Sequence, residues 1–255
     1  MPTQIISSES NDKIKVFKSL LTSKGVKENN KFILSGMKII EEFFGQNLAR
    51  FKIHGLIFDS EQWPAFLEEQ ENVQKYIIPK NIFKELDVIG TKEPLLVLEF
   101  KDFDQKDLSA SAIDLEIICP LGDPRNLGAL IRSAVGFGVR EIILTKEAAH
   151  PFLPQSVKAS AGAVLYATFK KTDLAVSEIS FESETLALDL KGQNLSGLQF
   201  PKNFRLLVGE EGPGLQLTAE QKNKIKYINI PTQRIESLNA MVSTSLALWE
   251  WKKQN

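Results

Sequence analysis

Over the first hundred residues, short apolar runs alternate with stretches of helical spacing. The runs predict strands over 31–35, 53–58, 76–78 and 95–100. Apolar residues recurring at intervals of three and four predict helices over 11–23, 37–44, 63–69 and 82–86. A polar, charged stretch at 101–111 follows the last of these strands and breaks the pattern. Alternation then resumes, with strands predicted near 115–119, 141–144, 186–190, 204–208 and 227–230 and a closing helix over about 237–251. This periodicity specifies an α/β protein of two domains, a small one at 1–104 and a second at 113–255, joined by a linker at 105–112.

The most distinctive stretch is Leu121-Gly-Asp-Pro-Arg-Asn-Leu-Gly-Ala-Leu-Ile-Arg-Ser-Ala-Val-Gly-Phe-Gly138, which follows the apolar run 115–119. A turn rich in Asp, Pro and Asn opens a helix that stops at Gly138. Leu127, Leu130, Ile131, Ala134, Val135 and Phe137 share the arc expected to face a core. The other arc carries Gly128, Arg132 and Gly136. Glycine inside a helix costs about 1 kcal/mol relative to alanine. A bare face around one arginine suits close approach of a backbone, a ligand or a partner, although a solvated surface arginine fits the same pattern.

Two further turns follow strands. Gly209-Glu-Glu-Gly-Pro-Gly-Leu215 resembles a phosphate loop, but its two glutamates would repel an anion and it carries no Lys or Arg. A carboxylate there suits a hydroxyl, an ammonium or a sulfonium, or simply a surface turn. The third turn, Ile230-Pro-Thr-Gln-Arg-Ile-Glu-Ser-Leu-Asn239, opens the last helix, with Glu236 or Ser237 able to cap it. Leu238, Met241, Val242, Ser245, Leu248 and Trp249 form its expected inner stripe. In an open α/β sheet, ligands bind at the carboxyl ends of strands, so three such turns point to one site.

Composition narrows the chemistry. The 255 residues are 43% hydrophobic and 25% charged, with a net charge of -1, so no global basic field announces nucleic acid. Lys13, Lys15, Lys18, Lys24, Lys27 and Lys31 stand against one acid, Glu28. They fit a phosphate-tracking surface less well than a solvated amphipathic helix with Ile14, Phe17, Leu20 and Leu21 inward. The single Cys119 excludes an intramolecular disulfide and suits a reducing, cytoplasmic setting. His54 and His150 stand far from any cysteine and from each other, and no metal-ligand spacing is present, so no metal site is expected. No signal-peptide pattern opens the chain and no apolar run reaches membrane-spanning length.

In order, the three turn segments resemble the signature motifs of the SpoU/TrmH class of SPOUT-type RNA ribose 2′-O-methyltransferases. Lys158-Ala-Ser-Ala-Gly-Ala163 is similar to the family's helix between the first two. Phe32-Ile-Leu-Ser-Gly36 and the strand after Glu93-Pro94 more loosely resemble the L30e-like domain of the rRNA-modifying branch. The resemblance implies a SPOUT-type C-terminal domain with a trefoil knot, S-adenosylmethionine as methyl donor, and a homodimer with a shared active site. It further implies an RNA substrate, most simply 23S rRNA; tRNA and a non-catalytic knotted RNA-binding protein are the alternatives. By motif it assigns Asn126, Arg132, Glu211, Ser237 and Asn239 to the polar active-site set, and Gly209, Ile230 and Leu238 to the donor. The third motif departs from the family at Thr232, Gln233 and Arg234, where a Met and a later Gly are usual. Because a guanidinium keeps its proton, Arg132 is expected to clamp a substrate phosphate and stabilise the developing alkoxide; the group that takes the hydroxyl proton is left open.

Overall fold

The computed structural model describes residues 2–46, 48–209 and 215–255. These fall into two units, one comprising residues up to 102 with 150–165, the other 103–149 with 166–255.

The first unit runs β1 (Gln4–Ile5), α1 (Asp12–Ser19), α2 (Ser23–Asn29), β2 (Lys31–Leu34), α3 (Met37–Gly45), β3 (Phe51–Phe58), α4 (Ala65–Glu68), β4 (Lys75–Ile77), α5 (Lys80–Leu86) and β5 (Leu95–Phe100). Its sheet has the order β1-β4-β3-β5-β2. β1, β4 and β3 are parallel, and β5 runs antiparallel to β3 and β2. The helix predicted over 11–23 is two helices. Thr22 caps the second by accepting from Gly25 N at 3.1 Å, and a Cβ on Gly25 would lie 2.1 Å from Ser19 O. Only glycine permits that approach. Ile14, Phe17 and Leu20 point inward as expected, onto Ile33, Ile57, Val97 and the apolar side of α5. Among the neighbouring lysines, Lys15, Lys18 and Lys24 pair with Asp12, Glu85 and Glu28, which is the solvated-helix outcome.

The second unit begins with β6 (Leu115–Cys119), α6 (Pro124–Phe137) and β7 (Glu141–Leu144). The chain then contributes α7 (Pro154–Ala159) and its flanks to the first unit. There Phe152 is buried and stacks on Phe32 at 4.2 Å between ring centres, with Phe51 and Phe100 edge-on. Arg50 donates to the carbonyls of Val164 and Leu165. The second unit resumes with β8 (Phe169–Lys171), β9 (Thr185–Asn194), β10 (Phe204–Leu207), α8 (Ala219–Lys224), β11 (Ile225–Asn229) and α9 (Ala240–Lys252). β1, β8 and α8 are additions to the sequence-based elements. They are two, three and six residues long, too short for a periodic signal.

The second sheet is six-stranded, ordered β11-β9-β10-β6-β7-β8, and every pairing is parallel. All residues of β6, β7 and β10 are buried, as expected of parallel strands covered on both faces. Three of them are charged. Arg205 of β10 is in register with Glu116 of β6, and Glu116 with Glu141 of β7. Arg205 Nε donates to Glu116 at 3.0 Å, and its other nitrogens donate to the carbonyls of Leu108 and Ala110. Lys106 Nζ donates to Glu116 at 2.6 Å and also to Glu141. The segment 105–112 is therefore engaged with this charged row in the second unit.

Burial would raise the Glu116 pKa, but Lys106, the Ile113 amide and Arg205 outweigh it and hold the carboxyl below its ordinary value. Such a group stabilises the fold above its unfolded pKa, and the stabilisation is lost as pH falls through the lowered folded value. Glu116→Gln is expected to cost about 3–5 kcal/mol near neutral pH, because it leaves Arg205 buried without its carboxylate. The variant's stability should also fall less steeply between pH 5 and pH 3. Urea unfolding at several pH values checks both; a loss under about 1 kcal/mol would contradict the role given to the row.

Candidate active site

Because the second sheet is entirely parallel, the chain leaves β6, β9, β10 and β11 at the same edge. Each of the three sequence segments singled out above begins there. They do not all reach the same surface.

The first segment forms α6. Asp123 is its N-cap and accepts from Arg125 N at 2.7 Å, with Pro124 in the first turn and Gly138 left-handed at the C-cap. The Arg125 guanidinium also binds Asp123, and chiefly for that reason the carboxyl is held at about 2. Leu127, Leu130, Ile131 and Ala134 are buried, whereas Val135 and Phe137 are only half-buried. Of the supposed bare arc, Gly128 is in fact buried, next to Leu127 and one turn before Ile131, which are buried too. Arg132 and Gly136 are exposed, and a Cβ on Gly136 would meet nothing within 4 Å. The Arg132 side chain has no hydrogen bond or ion pair among the described residues, and Asn126 is half-buried in the first turn.

Residues from the other two segments line a cleft of ≈ 820 Å³. Gly209 after β10, Ile230 after β11, and Ser237, Leu238 and Asn239 before α9 all face it. Glu211, expected in the polar set, lies outside the described residues, and Asn126 and Arg132 do not line the cleft. The final helix begins at Ala240, three residues later than predicted. Asn239 is its cap, accepting from Met241 N at 2.9 Å and Val242 N at 3.2 Å, so neither Glu236 nor Ser237 has that role. Thr232 tightens the altered third loop by donating to the carbonyls of Ile235 and Glu236 at 2.6 and 3.2 Å.

One wall of the cleft is absent from the sequence-based set. β11 pairs Tyr227 with Ala187 but Ile228 with Gln193, so residues 188–192 bulge out of β9. Gly192 makes this possible, since a Cβ there would stand 2.4 Å from Ile228 N. Asn229 Nδ2 donates to Leu190 O at 2.7 Å, and Lys191 N donates to Asp189 Oδ1 at 2.9 Å. Leu188, Asp189 and Leu190 thus join the lining, as do Tyr227 and Lys222. Burial, and then the Asp189 charge, raise the Tyr227 phenol above its ordinary pKa. Gly192, two residues past the strand predicted near 186–190, was the one available sign of the bulge.

The described α9 also departs from its expected stripe. Met241, Thr244, Ala247, Leu248 and Trp251 are buried, whereas Val242, Leu246 and Trp249 are exposed by 50%, 38% and 49%. Helix α9 packs along α6, with Ser133 and Ser245 hydrogen-bonded at 2.7 Å and Phe137 6.0 Å from the Trp249 ring. Among the described residues there is no cluster of three or more metal-ligating side chains, and no helix is long and apolar enough to cross a membrane.

Comparison with known proteins agrees with this architecture. The model of the SpoU rRNA Methylase family matches residues 117–249. "Ribosomal RNA small subunit methyltransferase G 2" of Syntrophobacter fumaroxidans is 32% identical over 97% of this chain. The match takes in 49% of that protein, so the chain spans about half its length. "23S rRNA (guanosine(2553)-2'-O)-methyltransferase RlmP" of Bacillus subtilis is 26% identical, covering 96% of this chain and 97% of its own. Among solved structures, an AdoMet-bound rRNA methyltransferase from Sinorhizobium meliloti superposes with a TM-score of 0.77 at 21% identity, covering 98% of both chains. The SpoU methyltransferase AviRb from Streptomyces viridochromogenes, in complex with the cofactor AdoMet, gives 0.78 at 18% identity over 96% of this chain and 98% of its own. With the family model matching more than half of its length, the chain belongs to the SpoU rRNA methylase family.

Proposed function

We propose that this protein transfers a methyl group from S-adenosylmethionine to a ribose 2′-hydroxyl of large-subunit (23S) rRNA. The observation that carries this reading is the cleft between the ends of β9, β10 and β11, where Gly209, Ile230 and Leu238 meet. Its volume suits a ligand of the donor's size, and Gly209 lines it without a side chain of its own. When bound, the donor supplies a methyl on a sulfonium that already carries its leaving group. The protein's tasks are to hold the cleft rigid and to bring a weakly nucleophilic hydroxyl into line, a contribution of roughly 7–11 kcal/mol in well-oriented reactions. Asn239 fixes the loop ahead of α9, leaving Ser237 exposed at the rim. Arg132, exposed and unpaired among the described residues, is assigned to the substrate phosphate and the developing alkoxide. Asn126 and Glu211 complete the polar set in this reading.

Because Arg132 does not line the cleft of its own chain, the reading includes a homodimer in which one protomer's Arg132 serves its partner's cleft. The exposed Val242, Leu246 and Trp249 stripe beside α6 supports it, because such an apolar row on one helix face suits burial against another chain. The first unit, read as an L30e-like domain, is assigned to RNA selection, and the C-terminal unit is taken to carry the trefoil knot of its class.

Two substitutions test this proposal. Arg132→Ala should leave stability and S-adenosylmethionine affinity near wild type while methyl transfer to rRNA falls at least tenfold, about 1.4 kcal/mol of barrier. Calorimetry beside a tritium-transfer assay checks it, and activity within a few-fold of wild type would remove Arg132 from the site. Gly136→Leu meets open space within one chain, and helix propensity alone would make a protomer slightly more stable. It should nevertheless weaken dimerisation, with activity lost in parallel across a dilution series followed by sedimentation. A wild type that is monomeric and fully active would overturn the shared site.

A further inference from the structure

Resting on the donor-site reading above, we propose that Asp189, Glu236 and Lys222 form a charge set in the cleft that favours the cationic sulfonium donor over its thioether product. All three line the cleft and all are exposed. None has an ion-pair partner among the described residues, although most lysines discussed above for the first unit do. The described cleft therefore presents two unpaired carboxylates and one unpaired ammonium, a net charge of -1.

The donor carries the reciprocal set: a sulfonium, an α-ammonium and an α-carboxylate, for a net charge of +1. In the transfer the S–CH3 bond breaks, its electron pair remains on sulfur, and the 2′-oxygen gains the methyl and gives up its proton to solvent water. The ligand left behind keeps its ammonium and carboxylate but is neutral overall. One of the two described carboxylates then has nothing to balance it, so the donor is held more strongly than the product. This difference aids exchange after each turnover.

Asp189 is the better placed of the two carboxylates. The bulge that presents it is fixed by Asn229 and by the strand register, and its Oδ1 is held by Lys191 N. After burial, its charge also contributes to raising the Tyr227 phenol above its ordinary pKa. Glu236 lies on the third loop, whose course Thr232 sets through its bond to the Glu236 carbonyl.

Calorimetric titration of the full-length protein with S-adenosylmethionine, S-adenosylhomocysteine and adenosine tests the inference. Asp189→Asn keeps an acceptor for Lys191 N and removes only the charge. It should weaken S-adenosylmethionine about fivefold, the scale of one solvent-exposed ion pair, and S-adenosylhomocysteine by less than half that factor. Adenosine, which lacks all three charges, should bind unchanged. Glu236→Gln should act in the same direction. Lys222→Met should weaken S-adenosylmethionine and S-adenosylhomocysteine equally, since both carry the carboxylate. Equal losses for donor and product in Asp189→Asn, or no loss for either, would overturn the charge selection while leaving the donor site intact. A wild-type protein that binds none of the three ligands would overturn the donor-site reading and this inference with it.

Discussion

The cross-strand row Arg205–Glu116–Glu141, closed by Lys106, is the constraint on which the second unit depends. β6, β7 and β10 are otherwise runs of Ile and Leu, with Phe204 and Cys119 at the margins. A slip of two residues would leave every apolar side chain on its original face, so burial alone barely specifies the register. The charges do specify it. A shifted β10 would bury Arg205 without a carboxylate and Glu116 without a guanidinium, at a cost of several kcal/mol. Since the row sits at the amino ends of the strands, it fixes from a distance the level at which their carboxyl ends emerge. Cys119, Leu207 and Asn229 then deliver their loops to one edge, and the cleft is a consequence of that alignment.

The cleft also needs a departure from regular pairing. If β9 and β11 stayed in register to their ends, residues 188–192 would lie flat in the sheet. The five residues accommodated between Tyr227 and Ile228 turn that stretch into a wall, and Gly192 is the point at which the two backbones come close enough to resume pairing. The same edge thus combines a fixed sheet with a locally irregular strand, an arrangement often found where a strand must present side chains to a ligand.

Much of this was legible in the sequence. The second unit's longer strands announce themselves as apolar runs, and α6 carries its own start and stop signals in Asp123, Pro124 and Gly138. Gly209, Ile230, Ser237, Leu238 and Asn239 were assigned through the resemblance of their turns to the SpoU/TrmH motifs, and they line one cleft. What stayed hidden depends on long-range packing. Lys106 reads as part of a polar connector because its partners, Glu116 and Glu141, lie ten and thirty-five residues away. Phe152 falls within the second domain predicted at 113–255, yet its ring stacks on Phe32 in the first unit. On α9, apolar residues surround much of the helix, so periodicity could not separate the face turned to α6 from the face turned outward. Val242 and Trp249 were placed inside for that reason.

That last ambiguity has a physical source. A helix with one buried face normally advertises it by polar residues on the other. Where the second face is also apolar, the pattern blurs, because both faces lower their free energy by leaving water. On α9 one set, Met241, Thr244, Ala247, Leu248 and Trp251, is already buried within the chain, while Val242 and Leu246 are exposed and Trp249 remains half-exposed although its ring lies near Phe137 of α6. Beside them α6 offers Gly136 with open space over its Cα. A large side chain at 136 would improve the isolated helix, so glycine there runs against the chain's own interest in helix stability. An apolar row and a tolerated glycine on adjoining helices are each weak indications alone. Together they are the surface on which the proposed pairing of two chains rests, and Arg132 lies one helical turn from Gly136.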